Sequence, residues 1–129
     1  MKVIDGTNAV LGRLASYAAK QALLGEEIVI VNCEKVIITG NRQNILEDFR
    51  DKRTKIGSGQ KGPKISRLAY MIVKRAIRGM LSHRQARGKE ALRRIRCYEG
   101  LPEKFKEAKM IRSGKEKQGK FIQVRELTK

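Results

Sequence analysis

The sequence predicts an α/β fold, in which helices cover both faces of a small, mainly parallel β-sheet. Short runs of β-branched residues, at 28–31 and 36–38, alternate with longer segments whose apolar residues recur with helical spacing. These runs are continuously apolar, which is typical of strands that are covered on both faces. The length of 129 residues and the hydrophobic content of 40% are sufficient for one domain with one core.

The first half of the chain begins with a strand, a turn and a helix. Residues 2–5 form a short apolar strand, and Thr7 or Asn8 in the following turn can cap a helix over residues 9–24. Gly25 ends this helix, and the two β-branched runs follow. Only four residues separate these runs, which is too few for a helical crossover. If both strands are parallel, one of them must therefore end early or diverge, and the strand directions are left open.

The second half of the chain contains three predicted helices and one strand. A helix over residues 41–54 turns its apolar residues to the core, and a Gly-rich basic loop follows at 56–64. The next helix, opened by Ser66, is amphipathic, and after a break a shorter helix covers residues 85–93. Residues 94–99 form the fourth strand. The amphipathic helix places Leu68, Ile72, Val73, Ala76, Ile77 and Met80 on its apolar side, and Arg67, Lys74, Arg75 and Arg78 on its charged side.

The composition changes after Gly100. We therefore predict a single α/β domain over residues 1–100 and a basic C-terminal extension over residues 101–129. Residues 114–120 (GKEKQGK) are a charged linker with no means of packing, whereas residues 121–127 (FIQVREL) are apolar enough to dock on the domain. We expect truncation after Gly100 to leave a soluble domain, and aggregation would indicate that the apolar segment covers part of the core.

The net charge of +17 is concentrated in one part of the chain. Residues 1–48 contain five basic and six acidic side chains, whereas residues 49–129 contain 25 basic and seven acidic ones. Between Lys74 and Arg96 there are nine Lys or Arg residues and one acid. Like charges at this density repel one another in a compact domain, and a strongly anionic partner turns that cost into affinity. The sequence therefore predicts RNA-facing basic helices and a basic loop within the domain.

An anionic membrane is the weaker alternative as a partner. The sequence contains no apolar run long enough to span a bilayer and no basic-plus-apolar signal peptide.

Cys33 and Cys97 match no CxxC pattern, and His83 does not complete a zinc site with them at a recognised spacing. We predict two reduced, buried thiols near strand ends in a cytoplasmic protein, and neither a metal nor a cofactor.

Two motifs resemble nucleotide-binding loops, but neither has the context that such a loop needs. Residues 57–62 (GSGQKG) match GxGxxG, yet no strand precedes them, and Pro63 follows where a helix should open. Residues 5–7 (DGT) lie between the first strand and the first helix, but the Asp5 carboxylate would repel a phosphate, which favours an ordinary turn. Because no catalytic group is assembled either, a nucleotide-binding enzyme is the weakest hypothesis.

The aromatic residues indicate how RNA would be bound. The six Phe and Tyr side chains are not interleaved with the basic runs, and no RNA-recognition-motif or KH signature is present. Stacking of single-stranded bases is therefore not expected. We predict recognition of the phosphate backbone and shape of a folded RNA, with arginine where two phosphate oxygens are bound together. On these residues alone, a ribosomal protein and a free regulatory RNA- or DNA-binding protein both fit.

Five blocks of sequence resemble one protein family. The blocks are VIDGTNAVLGRLAS, GEEIVIVNCEKVIITGN, RAIRGML, ARGKEAL and CYEGLP, and over residues 3–102 they have the order found in the large-subunit ribosomal protein L-thirteen family. The form is similar to the archaeal and eukaryotic branch. The resemblance implies a three-layer α/β/α sandwich with a four-stranded sheet of Rossmann-like topology. It also implies binding to large-subunit rRNA, a role in subunit assembly and no enzymatic activity.

The resemblance and the basic clusters together give the residues that we expect to contact RNA. They lie at the end of the helix over 41–54, on the Gly-rich loop, on the charged side of the amphipathic helix and on the short helix after it. His83 is equally compatible with a phosphate contact and with a plain helix-end position. The expected partners are large-subunit rRNA and neighbouring ribosomal proteins, with the protein a monomer within the ribosome and with no membrane or small-molecule ligand. The expected contacts are Lys52, Arg53, Lys55, Lys61, Lys64, Arg67, Arg75, Arg78, His83, Arg84, Arg87, Lys89, Arg93 and Arg94.

Overall fold

The computed structural model describes residues 1–55, 58–60, 65–112 and 119–128. Within these residues the chain forms four α-helices and six short strands. The helices are α1 (Leu11–Leu23), α2 (Arg42–Thr54), α3 (Ala69–Gly79) and α4 (Ala86–Arg93). The strands are β1 (Lys2–Asp5), β2 (Ile28–Val31), β3 (Ile37–Thr39), β4 (Ile95–Cys97), β5 (Met110–Arg112) and β6 (Phe121–Gln123).

Four of the strands form one parallel sheet with the order β4-β2-β1-β5. β1 lies inside the sheet, where Ile4 is the register partner of Ile30 in β2 on one side and of Ile111 in β5 on the other. Counted within this sheet, the order is third, second, first and fourth strand, which is the order of the first strands of a Rossmann fold. The predicted α/β class and the small parallel four-stranded sheet are confirmed.

The membership of the sheet differs from the strands that the sequence suggested. The third predicted strand, now β3, leaves the sheet and pairs antiparallel with β6. After β2 the chain makes a left-handed turn at Asn32 (φ 56°) and a 3-10 helix at Cys33–Lys35, and this connection allows β3 to diverge. The fourth place in the sheet is taken by β5, where the sequence analysis had no strand.

The main core lies on one face of the sheet. Ile4, Ile28 and Ile30 are buried there together with residues of α1, α3 and α4. The buried side of α1 consists mostly of alanines, whose small side chains allow α3 and α4 to pack closely against it. After β6, Val124 and Leu127 are buried in the same core. The predicted docking of the apolar C-terminal segment is therefore confirmed.

The opposite face of the sheet is covered by a shorter segment. Phe105 lies on a 3-10 helix at Glu103–Phe105 and packs on buried valines of β1 and β2. The Tyr98 ring lies beside it, with 5.8 Å between the ring centroids. Both faces are thus covered, as the continuously apolar strands indicated. In the described part of the chain, the second layer is this single turn with its neighbours, and a long helix is not needed to exclude water there.

α3 begins later than predicted, and a distant residue caps it. Ser66 lies outside the helix, where its hydroxyl oxygen accepts a hydrogen bond from the Leu68 N–H at 3.1 Å. The N–H of Ala69, the first helical residue, donates to the Glu99 carboxylate at 3.0 Å. Leu68 and Met80 were predicted on the apolar side, but they are 49% and 47% exposed. They flank the helix as its N-cap and C-cap residues.

The predicted cap of α1 is also wrong. α1 starts after Val10, and no side chain hydrogen-bonds to its first turn. Thr7 instead donates its N–H and its hydroxyl to Asp5 Oδ1, at 3.0 and 2.7 Å. Asn8 adopts a left-handed conformation with φ 58°, and Val10 pairs with Ile37 in an isolated bridge. The turn after β1 therefore serves contacts with β3, and its polar residues are not available to the helix.

Candidate nucleic-acid interface

The outer side of α3, α4 and the turn between them is strongly cationic. α3 buries Ile72, Val73 and Ile77 in the core, and this orientation leaves its basic residues on the outside. We call these basic residues the α3–α4 surface. It consists of Lys74, Arg75, Arg78, Arg84, Arg87, Lys89 and Arg93. All of them are exposed except Lys74, which is half-buried.

A close backbone contact fixes the turn in this surface. Gly88 of α4 lies so near the turn that a Cβ added to it would be 1.9 Å from the Ser82 carbonyl oxygen. The turn is further held by hydrogen bonds from the His83 N–H to the Leu81 carbonyl at 2.8 Å and from the Gln85 N–H to the Ser82 carbonyl at 2.9 Å. Because α4 can approach this closely only at a glycine, its basic residues and those of the turn have a defined spacing.

The cations of this surface have no acidic partners among the described residues. The ion pairs in that part of the chain join other residues, and none of them uses a Lys or Arg of α3, of α4 or of the turn. Two nearby acids are engaged with backbone: Glu99 accepts from Ala69, and Glu34 accepts from the Gly100 N–H at 2.9 Å. Glu90 of α4 is the one acid among these cations in sequence, so the surface keeps a large positive excess, which suits it to an anionic ligand.

An apolar groove runs beside α3. It has a volume of about 330 Å³. Ile65, Met71 and Leu92 contribute apolar lining, and three cations of the α3–α4 surface also line it. The groove therefore places these cations next to apolar side chains at the edge of the α3–α4 surface. The cations in the lining are Lys74, Arg75 and Arg78.

A second cationic group lies near β4 and the second face of the sheet. Arg93, Arg96 and Lys104 line a cavity of about 130 Å³ next to Phe105. Arg94 also lines it, but its Nη1 donates to the Ala22 carbonyl at the end of α1, at 2.9 Å. Arg94 therefore has a structural contact in addition to its predicted role. Arg96 and Lys104 were not among the predicted contacts, although strand alternation after the buried Ile95 could have indicated that Arg96 faces outward.

The predicted residues on α2 are engaged with their neighbours. Lys52 Nζ lies 3.1 Å from Asp48 Oδ2 and 5.4 Å from the centre of the Phe49 ring. Arg53 Nη2 donates to the Leu127 carbonyl, and its guanidinium lies 5.9 Å from the same ring centre. Burial, and then the charge of Arg67, lower the pKa of Arg53. Arg53 thus links α2 to the C-terminal turn, and its predicted RNA contact stays a prediction.

The remaining predicted contacts surround the Gly-rich loop and the turn. Lys61 and Lys64 lie outside the described residues, as does part of the GxGxxG match, so these remain predictions. Lys55 and Arg67, on either side of the loop, are exposed. His83 is half-buried in the turn between α3 and α4. It therefore lies within the cationic region, and either of its predicted roles fits this position.

The edge of the sheet where nucleotides bind in Rossmann folds is filled by the protein itself. In such sheets ligands lie at the carboxyl ends of the strands where the strand order reverses, here between β1 and β5. Arg112 Nε lies 3.5 Å from Asp5 Oδ2, and Asn32 donates to Asp5 Oδ1 at 3.0 Å. A Cβ on Gly6 would lie 2.8 Å from Val36 Cγ2, so this glycine serves packing. The structure agrees with an ordinary strand-to-helix turn.

The two cysteines carry free thiols and lie near each other. Cys97 is the register partner of Ile30, whose carbonyl accepts a weak hydrogen bond from the Cys33 thiol at 3.7 Å. Cys33 is buried and Cys97 is half-buried. Among the described residues, no three His, Cys, Asp or Glu side chains are placed to hold a metal ion.

None of the described helices combines the length and the apolar character that crossing a bilayer requires.

Comparison with known proteins gives matches over most of the chain. The family model described as "Ribosomal protein L13" matches residues 1–104. The "Large ribosomal subunit protein uL13" of Thermoplasma volcanium is 46% identical, over 85% of this chain and 80% of its own length. The protein of the same name from Methanosarcina barkeri is 46% identical over 86% of this chain and 79% of its own. That of Methanocaldococcus jannaschii is 42% identical over 100% and 96%.

Proposed function

The chain belongs to the ribosomal protein L13 family, and on this premise we propose that it is a structural constituent of the large ribosomal subunit that binds large-subunit rRNA through the α3–α4 surface. The archaeal relatives confirm the family resemblance and its archaeal type. The family is not an enzyme family, so the Rossmann-like sheet serves here as a scaffold. We place the protein in the cytoplasm, as a single copy within the subunit.

The observation that supports this proposal is a set of exposed cations without acidic partners on a rigid support. Phosphates of a folded RNA neutralise such cations and release the counterions that each partner had bound. The spacing of the cations is set by the packing of α4 against the turn at Gly88. A fixed spacing selects an RNA whose phosphates match it, which is recognition of shape.

We also propose a role in subunit assembly, which the position of the second cationic group supports. The groove beside α3 is lined by Ile72 and Leu92, which belong to or pack on the main core. The cavity at Arg96 and Lys104 is instead lined by Phe105, which covers the opposite face of the sheet. The two cationic regions adjoin at Arg93 and extend toward different faces of the sheet, so together they can hold two RNA segments, or an RNA segment and a neighbouring ribosomal protein, in a fixed relation.

A salt series of binding to large-subunit rRNA, compared with a random duplex of equal length, tests the proposal. With six to ten phosphates contacted, affinity should fall by about a thousandfold or more between about 50 and 200 mM salt. Changing Arg84, Arg87 and Arg93 together to Gln should reduce the slope by about two to three. The matched control changes Arg13, Lys20 and Lys35 to Gln, since these exposed cations lie outside the α3–α4 surface.

The outcomes separate site-specific binding from a general effect of charge. If rRNA keeps its advantage over the duplex at the higher salt and only the first triple variant loses binding, the proposal stands. If both RNAs bind equally, or if the control variant loses as much, the basic surface is an unspecific polycation and the proposal is wrong. Co-sedimentation with large subunits distinguishes a ribosomal constituent from a free regulatory RNA-binding protein.

A further inference from the structure

Three arginines line one small cavity between α2, the segment before α3 and the C-terminal turn. The cavity has a volume of about 280 Å³, and its lining includes Arg50, Arg53 and Arg67. Phe49 contributes an apolar wall, and among the described residues Glu126 is the one carboxylate that lines the cavity. Three guanidinium groups thus share a cavity with a single carboxylate, which leaves the cavity strongly positive.

Among the described residues, one nitrogen of the Arg53 guanidinium group has no hydrogen-bond acceptor. Its Nη2 donates to the Leu127 carbonyl, and its guanidinium lies over the Phe49 ring. Its Nε is shielded from water and has no acceptor in the described part of the chain. A charged donor that is removed from water without an acceptor is costly, and a nearby anion offsets that cost electrostatically.

Arg67 adds to this cost. It is exposed and forms no ion pair with a described carboxylate. Its charge is one of the causes that lower the pKa of Arg53, so the two guanidinium groups are close enough to repel each other. Two guanidinium groups placed close together beside an apolar wall can bind one anion between them through charge-assisted hydrogen bonds.

We propose that this cavity binds a single phosphate group of the rRNA backbone between Arg53 and Arg67, with Arg50 as the third cation. The inference rests on the proposed function and adds a defined ligand to one place in it. A phosphate is favoured because arginine binds phosphate oxygens in pairs and because Lys52 and Lys55, at the same end of α2, extend the positive charge along an RNA strand. The bound phosphate would connect α2, the segment before α3 and the C-terminal turn.

The variant Arg67→Gln tests the site, because Arg53 itself supports the fold through Leu127. The matched control is Arg125→Gln, which removes an exposed arginine of the C-terminal turn that is not in the cavity lining. Without RNA, Arg67→Gln should melt about 1 to 2 °C above Arg125→Gln, since repulsion with Arg53 is relieved. With rRNA at about 100 mM salt, it should bind about tenfold more weakly than the control, and its salt slope should be smaller by about one.

Ethylation interference of the rRNA phosphates identifies the ligand directly. Ethylation of one particular phosphate should weaken rRNA binding by the wild-type protein and by Arg125→Gln. Ethylation of the same phosphate should not change rRNA binding by Arg67→Gln. If wild type prefers rRNA but the two variants share affinity, slope and interference pattern, the phosphate site is wrong and the proposed function stands. If wild type shows no preference for rRNA, the proposed function itself fails. If Arg67→Gln reduces only the incorporation of a neighbouring ribosomal protein into reconstituted subunits, the anion is a protein carboxylate and the inference is overturned.

Discussion

Asp5 connects three separate parts of the chain through one carboxylate. Its residue is 8% exposed, and among the described residues it is the only charged side chain that is buried. Burial opposes its ionisation and raises its pKa, but hydrogen bonds from Asn32 and from Thr7, and the charge of Arg112, outweigh burial. The pKa of Asp5 therefore lies below its ordinary value, and the ionised form stabilises the fold.

Acid should remove this contribution. Because the folded-state pKa is below the unfolded value of about 3.9, the stabilisation is present above that value and is lost as pH falls through the folded pKa. We expect Asp5→Asn to lower the free energy of unfolding by about 1 to 3 kcal/mol at pH 7, and by less at a pH of about 3. Urea unfolding at both pH values measures the difference. Asp51→Asn, which changes an exposed carboxylate of α2, is the control, and an equal loss for Asp5→Asn at both pH values would contradict the argument.

The thiol of Cys33 should be unreactive in the native protein. The neighbouring Cys97 thiol, and then burial, raise the pKa of Cys33, and only a thiolate reacts quickly with an alkylating reagent. We expect iodoacetamide at about pH 7.5 to modify Cys97 first and Cys33 only after unfolding in urea. Mass spectrometry of the two tryptic peptides follows both reactions. Equal rates of modification in the native state would refute this expectation.

At the scale of elements, the most sensitive contact joins α4 to the turn after α3. A Cβ at Gly88 would lie 1.9 Å from the Ser82 carbonyl oxygen and 2.9 Å from the His83 nitrogen, so the backbone must move. We expect Gly88→Ala to destabilise the fold by about 1 to 3 kcal/mol, and to weaken rRNA binding because Arg84 and Arg87 are displaced. Thermal unfolding and rRNA binding of the purified variant measure both effects.

Gly79→Ala is the matched control for this contact. Gly79 is the last residue of α3, and no described atom outside its own helix and its chain neighbours lies within 4 Å of an added Cβ. We expect this change to be neutral or to stabilise the fold by up to about 1 kcal/mol, because alanine is the better helix former. If Gly88→Ala behaves like Gly79→Ala, the close approach does not fix the turn.

At the scale of the whole molecule, the C-terminal residues contribute to both layers of the fold. β5 pairs with β1, and Phe105 covers the second face of the sheet. β6 pairs with β3, and Val124 and Leu127 are buried in the main core. Whether residues 1–100 can fold alone therefore remains a prediction. Because later residues cover both faces of the sheet, we now expect that they cannot.

Stepwise truncation tests this division. A chain ending at Arg112 keeps β5 and Phe105 but loses β6, whereas a chain ending at Gly100 loses all of them. We expect melting temperatures to fall in the order full chain, Arg112, Gly100, with aggregation of the shortest chain because its apolar surfaces are uncovered. Calorimetry and light scattering provide the measurements. A chain ending at Gly100 that stays soluble and melts like the full protein would support the predicted domain and show that the later contacts add little.

Several properties of this protein were determined by the sequence alone. The spacing of apolar residues in α1 and α3, the β-branched run at Ile28–Val31 and the concentration of basic residues between Lys74 and Arg96 identified the helices, the parallel sheet and the expectation of RNA. These features are encoded locally, because periodicity and charge are visible within a few turns of chain. The same local signals gave the basic residues of the α3–α4 surface.

Tertiary structure alone decided which distant groups meet. The Glu99 carboxylate caps α3, Arg94 bonds to the end of α1, β5 takes the place expected for β3, and Arg53 comes to share a cavity with Arg67. The two partners in each of these pairs are far apart in the sequence. The residues next to a carboxylate or a guanidinium group do not indicate which distant group it will contact. Such pairings follow from how the packed layers place separate segments, so they could be found only once the chain was folded.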